Sequence, residues 1–118
     1  VNISSIIPIG REGRTAFVPP LDSYQILSDS WIEQEFHSLR TRSSQVTVGY
    51  WTGEPGRVRI EPWPYTEVCV IKAGRVAVVD SDGRQREFGP GDSFIVPKGF
   101  VGEWVTLEPA AKVFIAVE

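Results

Sequence analysis

The chain is short of the residues on which most protein chemistry depends. Its 118 residues include one cysteine, Cys69, one histidine, His37, and no methionine. A lone cysteine excludes an internal disulfide framework and any cysteine-rich zinc site. It suits a reducing compartment, and the expected location is cytoplasmic. A lone histidine leaves no Ser-His-Asp or Cys-His arrangement legible in the pattern. No apolar run approaches the roughly 18 residues of a membrane span, and no basic-then-apolar leader is visible. Arginines are scattered and the formal net charge is −3. Phosphate recognition needs concentrated positive charge, so nucleic acid is not an expected partner.

What the chain does have is β-branched residues, aromatics and turn residues. It carries 11 glycines, 9 prolines and 4 tryptophans, with 42% hydrophobic and 23% charged residues, as an ordinary globular domain does. The length fits one domain.

Residues 1–45 form the less regular part. Ile3, Ile6, Ile7 and Ile9 make a short apolar arm. Val18-Pro-Pro20 resists both helix and central strand, since proline removes a ladder donor. Ser30 with Glu33 three residues on fits a capping box for a short helix. The same stretch, Trp31 to His37, reads equally as an edge strand, because the window is too short for periodicity to decide.

From Val46 the turns come quickly. Strands are expected at 46–51, 57–61, 67–73, 75–79, 84–88, 93–96, 102–107 and 112–117. Arg57-Val-Arg-Ile-Glu61 alternates polar and apolar, as a strand with one buried face does. Asp80-Ser-Asp-Gly83 and Gly89-Pro-Gly91-Asp92 supply turns. Short strands at this spacing, without a long amphipathic helix, imply a sandwich or barrel.

Particular blocks narrow this further: Gly49-Tyr-Trp51, Trp63-Pro-Tyr-Thr-Glu67, Gly74, Phe88-Gly-Pro-Gly-Asp92 and Pro97-Lys-Gly-Phe-Val-Gly-Glu-Trp104. At these residues the chain resembles the cupin superfamily. More narrowly, it resembles the small single-domain cupins grouped with ureidoglycine aminohydrolase and with the ethanolamine-utilisation cupin proteins. The resemblance covers residues 46–118 and implies an all-β, double-stranded β-helix (jelly-roll) barrel. Residues 1–45 would be an N-terminal arm with accessory strands or a short helix. It also implies a homodimer, and the apolar arm together with an open sheet edge independently makes residues 1–9 and 31–37 the candidate interface.

A metal-binding cupin carries two histidines and a glutamate in its first motif and a third histidine in its second. Here Glu67 matches the glutamate, Pro62-Trp63-Pro64 stands where histidines would fall, and Gly102 occupies the later histidine position. One carboxylate cannot hold a transition metal that needs three or four donors. No metal or other cofactor is expected.

Residues two apart on a strand share a face. If Glu67 points inward, so do Cys69 and Ile71, with Trp63 and Tyr65 at the mouth; Trp104 and Thr106 follow Gly102. The expected pocket is an aromatic cup for a small organic molecule. Glu67 and Tyr65 are the candidate catalytic residues, and Trp63, Cys69, Trp104 and Thr106 the candidate ligand-binding ones. Burial can raise a carboxylate pKa toward neutrality, which would suit Glu67 to metal-independent acid–base work on an amide, amine or carboxylate substrate. The plainer reading has the tryptophans as core packing, Cys69 as an inert buried thiol, and Glu67 satisfied by Arg57, Arg59 or a backbone N–H. A barrel filled by its own side chains would then leave a structural or interaction protein.

Overall fold

The structure, a computed structural model, describes residues 1–20 and 24–118. Among the described residues, ten strands follow a 3-10 turn at Ile3–Ser5: β1 (Gln25–Ile26), β2 (Glu33–Arg40), β3 (Val46–Gly53), β4 (Gly56–Ile60), β5 (Thr66–Ala73), β6 (Val76–Asp80), β7 (Gln85–Phe88), β8 (Ser93–Val96), β9 (Gly102–Thr106) and β10 (Ala110–Val117). They form two five-stranded sheets, ordered β2-β3-β10-β5-β8 and β1-β4-β9-β6-β7. From β3 to β6, and again from β8 to β10, successive strands alternate between sheets. This winding is that of a jelly roll. Each strand pair is antiparallel.

The local chemistry explains the path. Asp80 accepts the backbone N–H groups of Asp82 and Arg84 on Oδ1, at 2.9 and 3.0 Å, which closes the β6–β7 hairpin. Gly74 turns β5 into β6 at φ 75°, and a Cβ there would lie 2.2 Å from the Pro109 carbonyl oxygen. Only glycine satisfies both demands.

Trp31 to His37, which sequence leaves open between helix and edge strand, contributes to β2 at the edge of the first sheet. Backbone bonds between Phe17 and Glu35, at 2.7 and 2.8 Å, pin the preceding segment to that edge. The barrel therefore draws strands from before Val46 as well as after it. Beyond this attachment Ile3, Ile6, Ile7 and Ile9 are exposed.

Between the sheets lie Trp51, Val58, Trp63, Cys69, Ile71, Val76, Val96, Trp104 and Phe114. Fully burying Val58, Ile71 or Val76 stabilises the fold by about 1.5–3 kcal/mol each. The same interior also takes in Glu33, Glu67, Thr106 and Lys112. Those four set the chemistry of the barrel.

Candidate functional site

Alternation along β5 turns Glu67, Cys69 and Ile71 inward, and the neighbouring strand β10 does the same for Lys112, Phe114 and Ala116. The ladder pairs Glu67 with Ala116 and Ile71 with Lys112. The long lysine stem spans the offset, placing Nζ 2.5 Å from Glu67 Oε2. Trp63 Nε1 donates to the other carboxylate oxygen at 3.1 Å. The ammonium also lies 3.9 Å from the Trp104 ring centroid and 4.8 Å from that of Trp51.

Burial alone would push the Glu67 pKa up, but the Lys112 charge and its hydrogen bond outweigh this and hold it below the ordinary value. For Lys112, burial works downward, and its negative partners, Cys69 when ionised and Glu67, more than reverse it. The pair is a carboxylate and an ammonium at neutral pH. This corrects the expectation of a Glu67 pKa raised toward neutrality, because a cation from β10 shares its pocket. Arg57 and Arg59 do not satisfy Glu67. They lie on the other face of β4, paired with Glu103 and Glu61.

A second polar group comes from β2, where Glu33, Glu35 and His37 share one face by their spacing of two. Glu33 accepts the indole N–H of Trp31 on Oε2 and that of Trp51 on Oε1, both at 2.8 Å. His37 Nε2 lies 2.8 Å from Glu35 Oε1. Burial raises the Glu35 pKa, and the bond to His37 only partly offsets it.

These groups surround a cavity of about 420 Å³. Of the residues expected at the site, Trp63, Tyr65, Glu67 and Trp104 line it. Cys69 and Thr106 do not, although both face the interior. Cys69 lies fully buried with its thiol pKa pushed up by that burial. Thr106 Oγ1 accepts the indole N–H of Trp104 at 3.1 Å. Tyr65 has its phenol pKa raised by burial and then by the Glu67 charge, so the hydroxyl stays protonated.

The wall also contains residues the sequence reading left out: Lys112, Glu33, Glu35, His37, Trp31, Trp51 and Tyr24. The period-two spacing of Glu33, Glu35 and His37 was the available signal, and it becomes informative only once 31–37 is a strand. Lys112 had no comparable signal, since both faces of β10 are largely apolar.

The residues do not fit a transition metal. Glu67 already has an internal cation and an indole donor. At Gly102 a Cβ would stand 2.1 Å from the Val79 carbonyl oxygen, so no ligating side chain has room there. Among the described residues no group of three or more His, Cys, Asp or Glu side chains is placed to hold a metal ion.

Two antiparallel sheets wound as a jelly roll around a polar-walled cavity define a cupin barrel. The profile of the EutQ-like cupin domain matches residues 40–114, and the chain belongs to that family. Solved structures agree on the fold. A DUF861-family protein of unknown function from Pseudomonas syringae pv. tomato is 20% identical with a TM-score of 0.78; the match covers 92% of this chain but only 46% of that one. The EutQ protein of Clostridium difficile is 17% identical with a TM-score of 0.65, covering 75% of this chain and 69% of that one. A DUF861-family protein from Thermotoga maritima is 31% identical over 55% of this chain and 73% of that one, with a TM-score of 0.51. No curated protein matches. Among the described residues no helix is long and apolar enough to cross a membrane.

Proposed function

We propose that this cupin binds a small organic molecule in its barrel. The observation that carries the reading is the cavity of about 420 Å³ whose wall includes the buried Glu67–Lys112 pair. Replacing such a pair by apolar residues is often neutral or stabilising. A barrel serving only as scaffold has no evident use for it, or for the space beside it. Mostly aromatic concavities with a few polar groups are characteristic of small-molecule sites. Trp63, Tyr65 and Trp104 form the apolar wall against the ligand, and Glu67 with Lys112 orients its polar part. Cys69 and Thr106 support that wall from behind.

Catalysis by Glu67 and Tyr65 is less favoured as a reading, because the carboxylate is held ionised and the phenol protonated. An enzymatic reading is better supported by Glu35 and His37, a hydrogen-bonded carboxyl–imidazole pair on the cavity wall.

The test is a thermal-shift panel of small amides, amines and carboxylates on the wild type and on a Tyr65→Trp variant that narrows the cavity. A compound that stabilises only the wild type supports binding in the barrel. Equal stabilisation of both proteins, or none by any compound, favours the structural reading.

We also propose a homodimer in the cytoplasm, in which the exposed isoleucines of residues 1–9 pack on a partner copy. The main chain at Glu35 already bonds Phe17, which weakens the case for strand pairing through 31–37. Light scattering at micromolar concentration, repeated without residues 1–9, decides this; a monomer mass for the intact chain ends the proposal.

A further inference from the structure

The charges inside the cavity do not cancel. Glu67 is matched by Lys112 at 2.5 Å and Glu35 is joined to His37 at 2.8 Å. Glu33 is buried to the same degree as Glu67, and among the described residues no cationic side chain pairs with it. Its two oxygens accept the indole N–H groups of Trp31 and Trp51, and the Tyr24 phenol hydrogen-bonds the same carboxylate, so the partners found for it are neutral. A buried carboxylate without a counter-charge is costly, and neutral donors satisfy its hydrogen bonding without neutralising its charge.

Resting on the reading that the barrel binds a small molecule, we propose that its ligand carries a positively charged nitrogen, an organic ammonium, which Glu33 receives. Three observations converge on this class. The first is the uncompensated carboxylate itself, on the cavity wall. The second is its setting among Tyr24, Trp31 and Trp51, since aromatic faces attract ammonium groups in a desolvated site. The third is internal: Lys112 shows the cavity stabilising an ammonium on the rings of Trp51 and Trp104 beside a carboxylate. An anionic ligand faces the opposite situation. It would meet Glu33, Glu35 and Glu67, while the buried cation that could receive it is already committed to Glu67. Arg40, the other strong cation on the wall, is solvent-exposed at the end of β2.

The charge class is testable without knowing the natural ligand. Calorimetry and tryptophan fluorescence on the intact protein compare n-butylammonium with n-butanol and butyrate, and choline with its neutral isostere 3,3-dimethylbutan-1-ol. The expected result is that at least one ammonium compound binds, tenfold or more tightly than its neutral counterpart, and that butyrate does not bind. Glu33→Gln should lower ammonium affinity at least tenfold while leaving the alcohols unchanged. If that variant fails to fold, the isostere comparison in the wild type decides alone. Alcohols or butyrate binding as tightly as the ammonium compounds would overturn the charge class while leaving barrel binding intact. Silence from every compound at millimolar concentration would overturn the charge class and count against barrel binding as well.

Discussion

Two hollows formed by the described residues of the barrel are similar in size and opposite in character. One, of about 420 Å³, is walled by Glu33, Glu35, His37, Glu67 and Lys112 among aromatics. The other, about 440 Å³, lies between the outer strands β7 and β8, lined by Val78, Phe88, Phe94, Ile95 and Phe100 with Arg84 and Arg86. In the second, Phe88 and Phe94 stack at 3.9 Å, and no charge is buried. Trp104 joins the two: Phe94 lies 6.1 Å from it on one side, and the Lys112 ammonium lies over the same ring system at 3.9 Å. The apolar hollow is held by contact area, which tolerates loss gradually. The polar one is held by mutual compensation of charges, where removing one member strands another. The difference teaches that the site's residues cannot be replaced singly without a penalty in folding.

The largest expected effect follows directly. Lys112→Met leaves Glu67 charged and buried, and should destabilise the protein by about 3–5 kcal/mol in denaturant unfolding. Glu67→Leu combined with Lys112→Met should recover most of that loss, as two apolar residues replace a pair that nearly breaks even. A double variant as unstable as the single one would show that the ion pair itself stabilises the fold. At the other hollow, Phe94→Ala should cost less, about 2 kcal/mol, because Phe94 is only half-buried, and it should leave cavity ligands unaffected. Loss of ligand binding in Phe94→Ala would show that Trp104 couples the two ends.

Acid provides a more gradual probe of the same pair. The folded pKa of Glu67 lies below its ordinary 4.5, so its contribution is complete above that pH and is lost as pH falls through the lowered value. Glu35, with its pKa raised, has the opposite sign: its protonation favours the folded form as pH falls. The melting temperature should decline below pH 4.5, and Lys112→Met should flatten that decline. An equally steep acid limb in the variant would assign it to other carboxylates. The smallest effect is expected outside the barrel. The Arg57–Glu103 pair is partly solvent-exposed, and Arg57→Ala should change stability by less than about 1 kcal/mol.

The sequence exposed the barrel more readily than its contents. Turn chemistry around Gly74, Asp80-Gly83 and Gly89-Asp92 marks the strand ends, and the cupin blocks fix how those strands wind. Alternation suffices to turn Glu67 and Trp104 inward. Lys112 escapes because Val113, Ile115 and Val117 make one face of β10 apolar while Phe114 and Ala116 do the same for the other, so period two assigns no inner side. Glu33 escapes for another reason: with Ser30 it satisfies a local helix-start pattern, and only long-range pairing with β3 makes 33–40 a strand. Charge compensation across sheets depends on register, and register is set by contacts far apart in the chain.

The close approach of β9 to β6 at Gly102 makes one position of this barrel a matter of backbone rather than of side chain. A side chain can be exchanged by one substitution, but here the main chain of Val79 fills the place the Cβ of a histidine would need. Installing histidine at 102 would have to move a central strand, and even then Lys112 would occupy the carboxylate it should share. Anyone seeking to convert this protein to metal chemistry would do better to begin with the backbone of β6, since a single ligand graft at 102 meets main chain that no side-chain substitution removes.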